Sequence, residues 1–380
     1  MNSKKVRSAF KTRILKDLEE KMVFIGGPRQ VGKTTLAQSL VPNYQAGYPG
    51  YLNWDEPEHR KIFRDRAWPN DARLIILDEI HKARDWRTLV KGLYDTLKGQ
   101  HQFLVTGSAR LDYFKKGGDS LLGRFYYHRL HPLSLDEVGM DDAALEQLLK
   151  FGGFPEPFFK GDDLFLKRWH LQRRDRVIYG DVRDLEVLRD IQAIELLVEA
   201  LPERVGSPLS RRSLGEDLDV DSKTIERWIQ ILERVYYCFR IAPYGSPRLR
   251  AVKKEQKLYL WDWSEHEDEG KRWENFVASQ LLKFCHASED QKGERLELRF
   301  IRNVYQKEID FVVIKGETPL FAVECKKGDR DPDRHLETMA QELKIPRVYQ
   351  VHLGKKHRQI SDRVRVIPYV DFAKELLQRS

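Results

Sequence analysis

"MVFIGGPRQVGKTT", residues 22–35, changes character twice in fourteen residues. Met22 to Ile25 form a short apolar run, a glycine-containing turn follows, and helix-forming residues resume at Lys33. An apolar strand that breaks at glycine and reopens as a helix is the layout of a phosphate-binding loop. The spacing of Gly27, Gly32, Lys33 and Thr34 fits G-x-x-x-x-G-K-T. Glycine lets backbone N–H groups close on phosphate oxygens, and the following helix points its positive end at them. Lys33 is expected to reach the β- and γ-phosphates of ATP, and Thr34 to place its hydroxyl on Mg²⁺. Pro28, Arg29 and Thr35 complete the expected nucleotide contacts. A chance glycine turn would need neither the strand before it nor the helix after it.

Two further apolar runs end in polar groups suited to the same crevice. "RLIILDEIHK" (73–82) closes on Asp78 and Glu79, where a parallel strand covered on both faces delivers its carboxyl end to the phosphates. Asp78 is expected to hold Mg²⁺ and Glu79 to polarise the attacking water. "HQFLVTGSAR" (101–110) ends in Thr106, Gly107 and Ser108, small polar groups able to sense a γ-phosphate. His81 reads as a loop or packing residue.

The 380 residues suggest two or three domains. With 41% hydrophobic and 33% charged residues, the composition is that of globular domains rather than disorder or membrane spans. The opening "MNSKKVRSAFKTRILKDLEEKMVFIGG" is charged throughout, too polar for a signal peptide, and a cytoplasmic location is expected. Cys238, Cys285 and Cys325 are widely spaced with no C-x-x-C pair, which argues against a disulfide framework and a structural zinc site. A net charge of +8 favours a polyanionic partner.

The stretches "GGPRQVGKTTL", "YLNWDEPEHR", "RLIILDEIHK", "LVTGSAR", "LLGRFYYHRLHPLSLDEV" and "FGGFPEP" together resemble prokaryotic AAA+ ATPases whose C-terminal half was long catalogued as a domain of unknown function. The resemblance is dense over the first 160 residues and lies in layout more than letters beyond them. It implies an α/β P-loop domain with a parallel sheet (1–150), a helical lid (151–200), and an oligomer, expected to be a hexamer. Arg124, just before the strand starting near Phe125, then acts as the arginine finger in a neighbouring subunit's site. The glycines and prolines of "FGGFPEPFFKGDD" independently mark a boundary. Arg173, Arg174 and Arg176 beyond it either reach a nucleotide phosphate or lie on a solvated helix face.

Residues 201–262 are organised like a winged helix. Ser210 can cap a short helix through Leu218, "DVDS" makes a turn, and Thr224, Ile225, Trp228, Ile229 and Leu232 share one face of a second helix. Lys223, Glu226, Arg227 and Arg234 occupy the other face. "YYCFRIAP" and "KLYLWD" read as strands flanking a basic hairpin that resembles a wing. In this reading Lys223 and Arg227, with Arg248, Arg250, Lys253 and Lys254 of the wing, contact duplex DNA. Internal packing is the competing role.

In the last segment, 263–380, Glu274 lies on a helix, Asp310 opens a strand, and Glu324 and Lys326 end "FAVECKK". Strand residues two apart share a face, so Glu324 and Lys326 point together, and a hairpin through "KGETP" would bring Asp310 to them. This order resembles the restriction-endonuclease-like PD-(D/E)xK core, with Ile309 where the family name has proline. The resemblance implies Asp310 and Glu324 as Mg²⁺ ligands, Lys326 as water activator and Glu274 in support, with cutting or gripping of DNA as the outcome. A charged edge strand is the plain alternative.

Together these features lead to an ATPase that remodels DNA, duplex or branched, including Holliday-junction DNA. The alternatives are an ATP-dependent endonuclease in defence and a signalling ATPase acting on a protein partner.

Overall fold

Five strands of the first third of the chain pair in parallel: β1 (Met22–Gly26), β2 (Tyr51–Asn53), β3 (Leu74–Asp78), β4 (Gln102–Gly107) and β5 (Phe125–Arg129). Their order is β2-β3-β4-β1-β5. β1 and β3 are buried along their whole length, as unbroken apolar runs require when helices cover both faces. Helix Trp86–Leu97 contributes Trp86, Val90 and Leu93 to a core with Phe24, Ile75, Leu77 and Phe103. Phe24 stacks on Phe125 at 4.4 Å between ring centres. The carboxyl ends of β1, β3 and β4 lie side by side, and they carry the polar groups singled out above.

This computed structural model describes residues 7–42, 47–107, 121–182, 191–245, 256–303 and 305–379. The chain divides into two compact units, Met1–His131 with Arg234–Tyr236, and Pro132–Glu233 with Tyr237–Ser380. Helix Asp142–Phe151, capped by Asp141, therefore belongs to the second unit, ahead of the boundary expected at 150.

The second unit is built on an eight-stranded sheet. Its strands are β6 (Cys238–Pro243), β7 (Lys257–Leu260), β8 (Leu296–Arg302), β9 (Glu308–Lys315), β10 (Thr318–Cys325), β11 (Val348–His352), β12 (Arg358–Gln359) and β13 (Val364–Pro368), in the order β12-β13-β11-β10-β9-β8-β6-β7. The boundary drawn at 262/263 thus crosses one sheet: Ala242 and Pro243 of β6 pair with Arg299 and Phe300 of β8. β10 is central, flanked by β9 and β11, so its carboxyl-terminal charges do not guard an edge.

The long helix Glu269–Lys292 packs on this sheet and buries Trp273, Phe276, Val277 and Leu281. Helix Asp163–Asp175 is not a solvated face throughout. Arg173 is buried, pairs with Glu265 at 2.6 Å and lies over the rings of Phe154 and Tyr237, and Arg174 reaches the same carboxylate at 3.4 Å. Both side chains are engaged within the second unit, whereas Arg176 is exposed.

Candidate functional site

The loop after β1 closes under steric compulsion. Gly27 has φ 149°, and a Cβ there would meet the Leu130 carbonyl oxygen at 2.3 Å. Gly32 takes φ 95° at the entry to helix Lys33–Gln38. Lys33 is buried, and its ammonium donates to the Gly27 and Pro28 carbonyls at 2.9 and 2.7 Å. A cation held by two backbone oxygens beside a helix N-terminus is poised to exchange those partners for phosphate oxygens.

Asp78 is the hub of the site. One of its carboxylate oxygens accepts from Thr34 Oγ1 at 2.8 Å and from the Tyr51 hydroxyl at 2.7 Å, while the other accepts from Thr106 Oγ1. The Thr34 hydroxyl and the Asp78 carboxylate are hard oxygen donors brought together from two elements, a set that suits Mg²⁺. Glu79 sits in a left-handed conformation (φ 57°) with its N–H bonded to the Thr106 carbonyl, a backbone outlier at the place expected for the water-orienting acid. Its carboxylate lies 3.7 Å from His81 Nε2 and 3.6 Å from Lys82 Nζ. Burial pulls the His81 imidazole below its ordinary pKa, against the opposing charge of Glu79. Arg29 lies in the loop and Thr35 in the helix of this site. Ser108 lies outside the described residues.

Arg124 immediately precedes β5. Its side chain is about one-third exposed and makes a two-pronged contact with Asp95, Nε to Oδ1 at 2.8 Å and Nη2 to Oδ2 at 3.1 Å. Hydrogen bonding to Arg124 holds the Asp95 carboxyl below its ordinary pKa.

In the second unit, β9 and β10 form the hairpin expected through "KGETP", with Phe311 opposite Val323. Asp310 and Glu324 are therefore neighbours, and the Asp310 N–H lies 3.4 Å from a Glu324 oxygen. Lys326 Nζ pairs with Glu324 at 2.7 Å. Asp310 accepts the Cys325 N–H at 2.8 Å, and Glu274 accepts the Tyr259 hydroxyl at 2.8 Å. Sequence reading brought Glu274, Asp310, Glu324 and Lys326 to this place, and they do meet here. It missed Lys257, whose ammonium lies 3.5 Å from Glu274 and pairs with Glu308.

Asp310 and Glu324, expected from sequence as Mg²⁺ ligands, make contacts within the unit. One oxygen of Asp310, one of Glu274 and both of Glu324 already face an N–H, an O–H or an ammonium group. Among the described residues no three His, Cys, Asp or Glu side chains are grouped to hold a metal ion. Lys326 and Lys257 bring positive charge to these carboxyl groups.

Burial, then the charge of Asp310, push Glu324 up to about 8 and Glu274 up to about 7; burial also raises Asp310. A raised carboxyl pKa stabilises the fold fully below the unfolded value near 4.5, and that stabilisation is lost as pH rises through about 8. The second unit is therefore expected to lose stability between pH ~5 and ~8. Glu324→Gln should flatten that slope by on the order of a few kcal/mol in denaturant titrations at several pH values. Parallel curves for the two proteins would contradict the assignment.

Residues 19–139 match the family described as AAA domain. This segment is thus similar to AAA domains. Residues 142–264 and 269–372 match two domains of unknown function, DUF8612 and DUF4143. An uncharacterized protein of Mycobacterium tuberculosis is 22% identical over 365 residues, covering 91% of this chain and 80% of the relative. The Walker-type ATPase paby2304 of Pyrococcus abyssi superposes with a TM-score of 0.43 at 14% identity, over 67% of this chain and 93% of that one. The RuvB Holliday junction branch migration motor of Thermotoga maritima gives 0.33 at 16% identity, over 63% and 90%.

Within the first C-terminal match, two helices joined by a turn form at 211–234. Helix Arg211–Asp217 is capped by Ser210, and helix Ser222–Arg234 buries Ile225, Trp228, Ile229 and Leu232. The turn is tight enough that a Cβ on Gly215 would lie 2.5 Å from the Val220 carbonyl oxygen. Thr224 does not join the core; with the N–H groups of Lys223 and Thr224 it bonds the Asp221 carboxylate, which caps the helix. Glu226 is also drawn inward, binding Arg211 and Arg240. Lys223 and Arg227 stay exposed. Arg248, Arg250, Lys253 and Lys254 lie outside the described residues.

Proposed function

We propose that this chain is an ATPase that couples ATP hydrolysis to the binding and remodelling of DNA, duplex or branched, in a cytoplasmic homo-oligomer, a hexamer by resemblance. The observation that carries the ATPase reading is the meeting of Thr34 and Asp78 at 2.8 Å beside the buried Lys33. In this reading Lys33 and the loop N–H groups take the phosphates, Thr34 and Asp78 hold Mg²⁺, and Glu79 orients the attacking water. Mg²⁺, when bound, neutralises charge on the phosphate oxygens. Tyr51 and Thr106 keep the Asp78 carboxylate aimed at the loop. Arg124 leaves Asp95 for the γ-phosphate of a neighbouring subunit.

DNA is favoured by the net charge of +8 and by a helix-turn-helix that exposes Lys223 and Arg227. The C-terminal sheet, with its carboxylates already neutralised, grips rather than cuts. Binding of a fluorescent four-way junction and of the matching duplex, measured across a salt series, tests this. Lys223→Ala and Arg227→Ala should each weaken binding and lower the salt slope by about 1. Binding without salt dependence, or untouched by both variants, would contradict the assignment and favour a protein partner.

A further inference from the structure

Lys257 is an unusual lysine. It stands at the start of β7, paired with Ile241 of β6 and bridged to Pro208, and its side chain is 1% exposed. An ammonium group taken out of water costs several kcal/mol unless opposite charges surround it. Here they do: its Nζ pairs with Glu308, lies 3.5 Å from Glu274 and 5.4 Å from the centre of the Phe300 ring, and feels the charge of Asp310. Burial works against the charge, yet the three carboxylates outweigh it and hold the lysine protonated.

Further contacts fix the groups around it. Glu274 is fixed by the Tyr259 hydroxyl, and Gly206 approaches so closely that a Cβ there would meet the Glu274 carboxylate at 3.0 Å. At the end of β10, Lys326 pairs with Glu324 at 2.7 Å. Four acidic side chains, Glu274, Glu308, Asp310 and Glu324, thus gather around the ammonium groups of Lys257 and Lys326, and Arg302 also lies 3.7 Å from Glu308.

We propose that Lys257 is the resident cation of this cluster, its ammonium filling the role a divalent ion would take, so that the carboxylates around Asp310 bind no Mg²⁺ or Mn²⁺ near neutral pH. The consequence is a nuclease-like sheet that does not cleave phosphodiester bonds, because the positive charge it holds is buried and cannot present a water to DNA. Lys257 is a positioning residue: it fixes Glu274 and Glu308 and touches no substrate.

The test is a Mn²⁺ titration of the nucleotide-free full chain near neutral pH, reading free Mn²⁺ by electron paramagnetic resonance. Wild type and Asp310→Asn are expected to give superimposable curves. Lys257→Met, which keeps the length and removes the charge, is expected to gain one site per chain, and Lys257→Met with Asp310→Asn to lose it again. Wild type binding more Mn²⁺ than Asp310→Asn would overturn the proposal, since metal and lysine would then share the site. A folded Lys257→Met that gains no site would overturn it equally, because the lysine would not be what occupies the place. Should Lys257→Met fail to fold by circular dichroism, the comparison of wild type with Asp310→Asn still decides.

Discussion

Arg124→Ala is expected to lower ATP turnover by roughly 10³-fold or more while ATP still binds. Mixing it with an equally inactive Lys33→Ala protein is expected to restore part of the lost rate. The first variant keeps an intact phosphate loop and the second keeps an intact arginine, so rescue requires that the arginine of one chain serve the nucleotide of another. The geometry suits such a role: Arg124 is partly exposed and is held by Asp95, itself on the surface, with a longer contact to the Leu122 carbonyl at 3.5 Å. Exposed ion pairs contribute little, so exchange of Asp95 for a phosphate carries a small penalty. Steady-state phosphate release from the single and mixed proteins makes the measurement. Failure of the mixture to exceed its components would leave Arg124 a surface residue.

Glu79→Gln should produce the second large effect, a fall in hydrolysis of roughly 10²- to 10⁴-fold with ATP retained. The substitution keeps side-chain length and removes the charge that polarises water. It also removes the ionic attraction of Lys82, which lies 3.6 Å from the carboxylate, and leaves the neighbouring His81, 3.7 Å away, beside an uncharged amide. Filter binding of labelled ATP together with phosphate release separates binding from chemistry. Turnover equal to wild type would mean that another group orients the water.

The residues that sequence reading placed well are those whose neighbours lie close in the chain or on one strand. Gly27 through Thr35 are one local turn, and Asp78 and Thr106 follow apolar strands whose carboxyl ends must lie together in a parallel sheet. Glu324 and Lys326 share a face by strand geometry, and Asp310 reaches them through a tight hairpin. What escaped depends on long-range pairing. Nothing in "KLYLWD" marks Lys257 as more than a strand-end lysine until β6 and β7 join β8 and carry it to Glu274, Glu308 and Asp310. The same joining places the expected boundary at 262/263 inside a sheet. Tyr51 escaped for a like reason, since its hydroxyl finds Asp78 only because β2 pairs with β3. Arg173 looked like one more charge on a basic helix, and only the buried Glu265, 92 residues away, reveals it as structural.

The coupling of ATP hydrolysis to DNA is tested most directly by steady-state ATP turnover of the full chain with Mg²⁺, alone and with single-stranded, duplex and four-way-junction DNA. The account predicts stimulation by duplex or junction, abolished in Lys33→Ala, with the DNA strands separated or rearranged but uncut on a gel. Turnover indifferent to every DNA would contradict it.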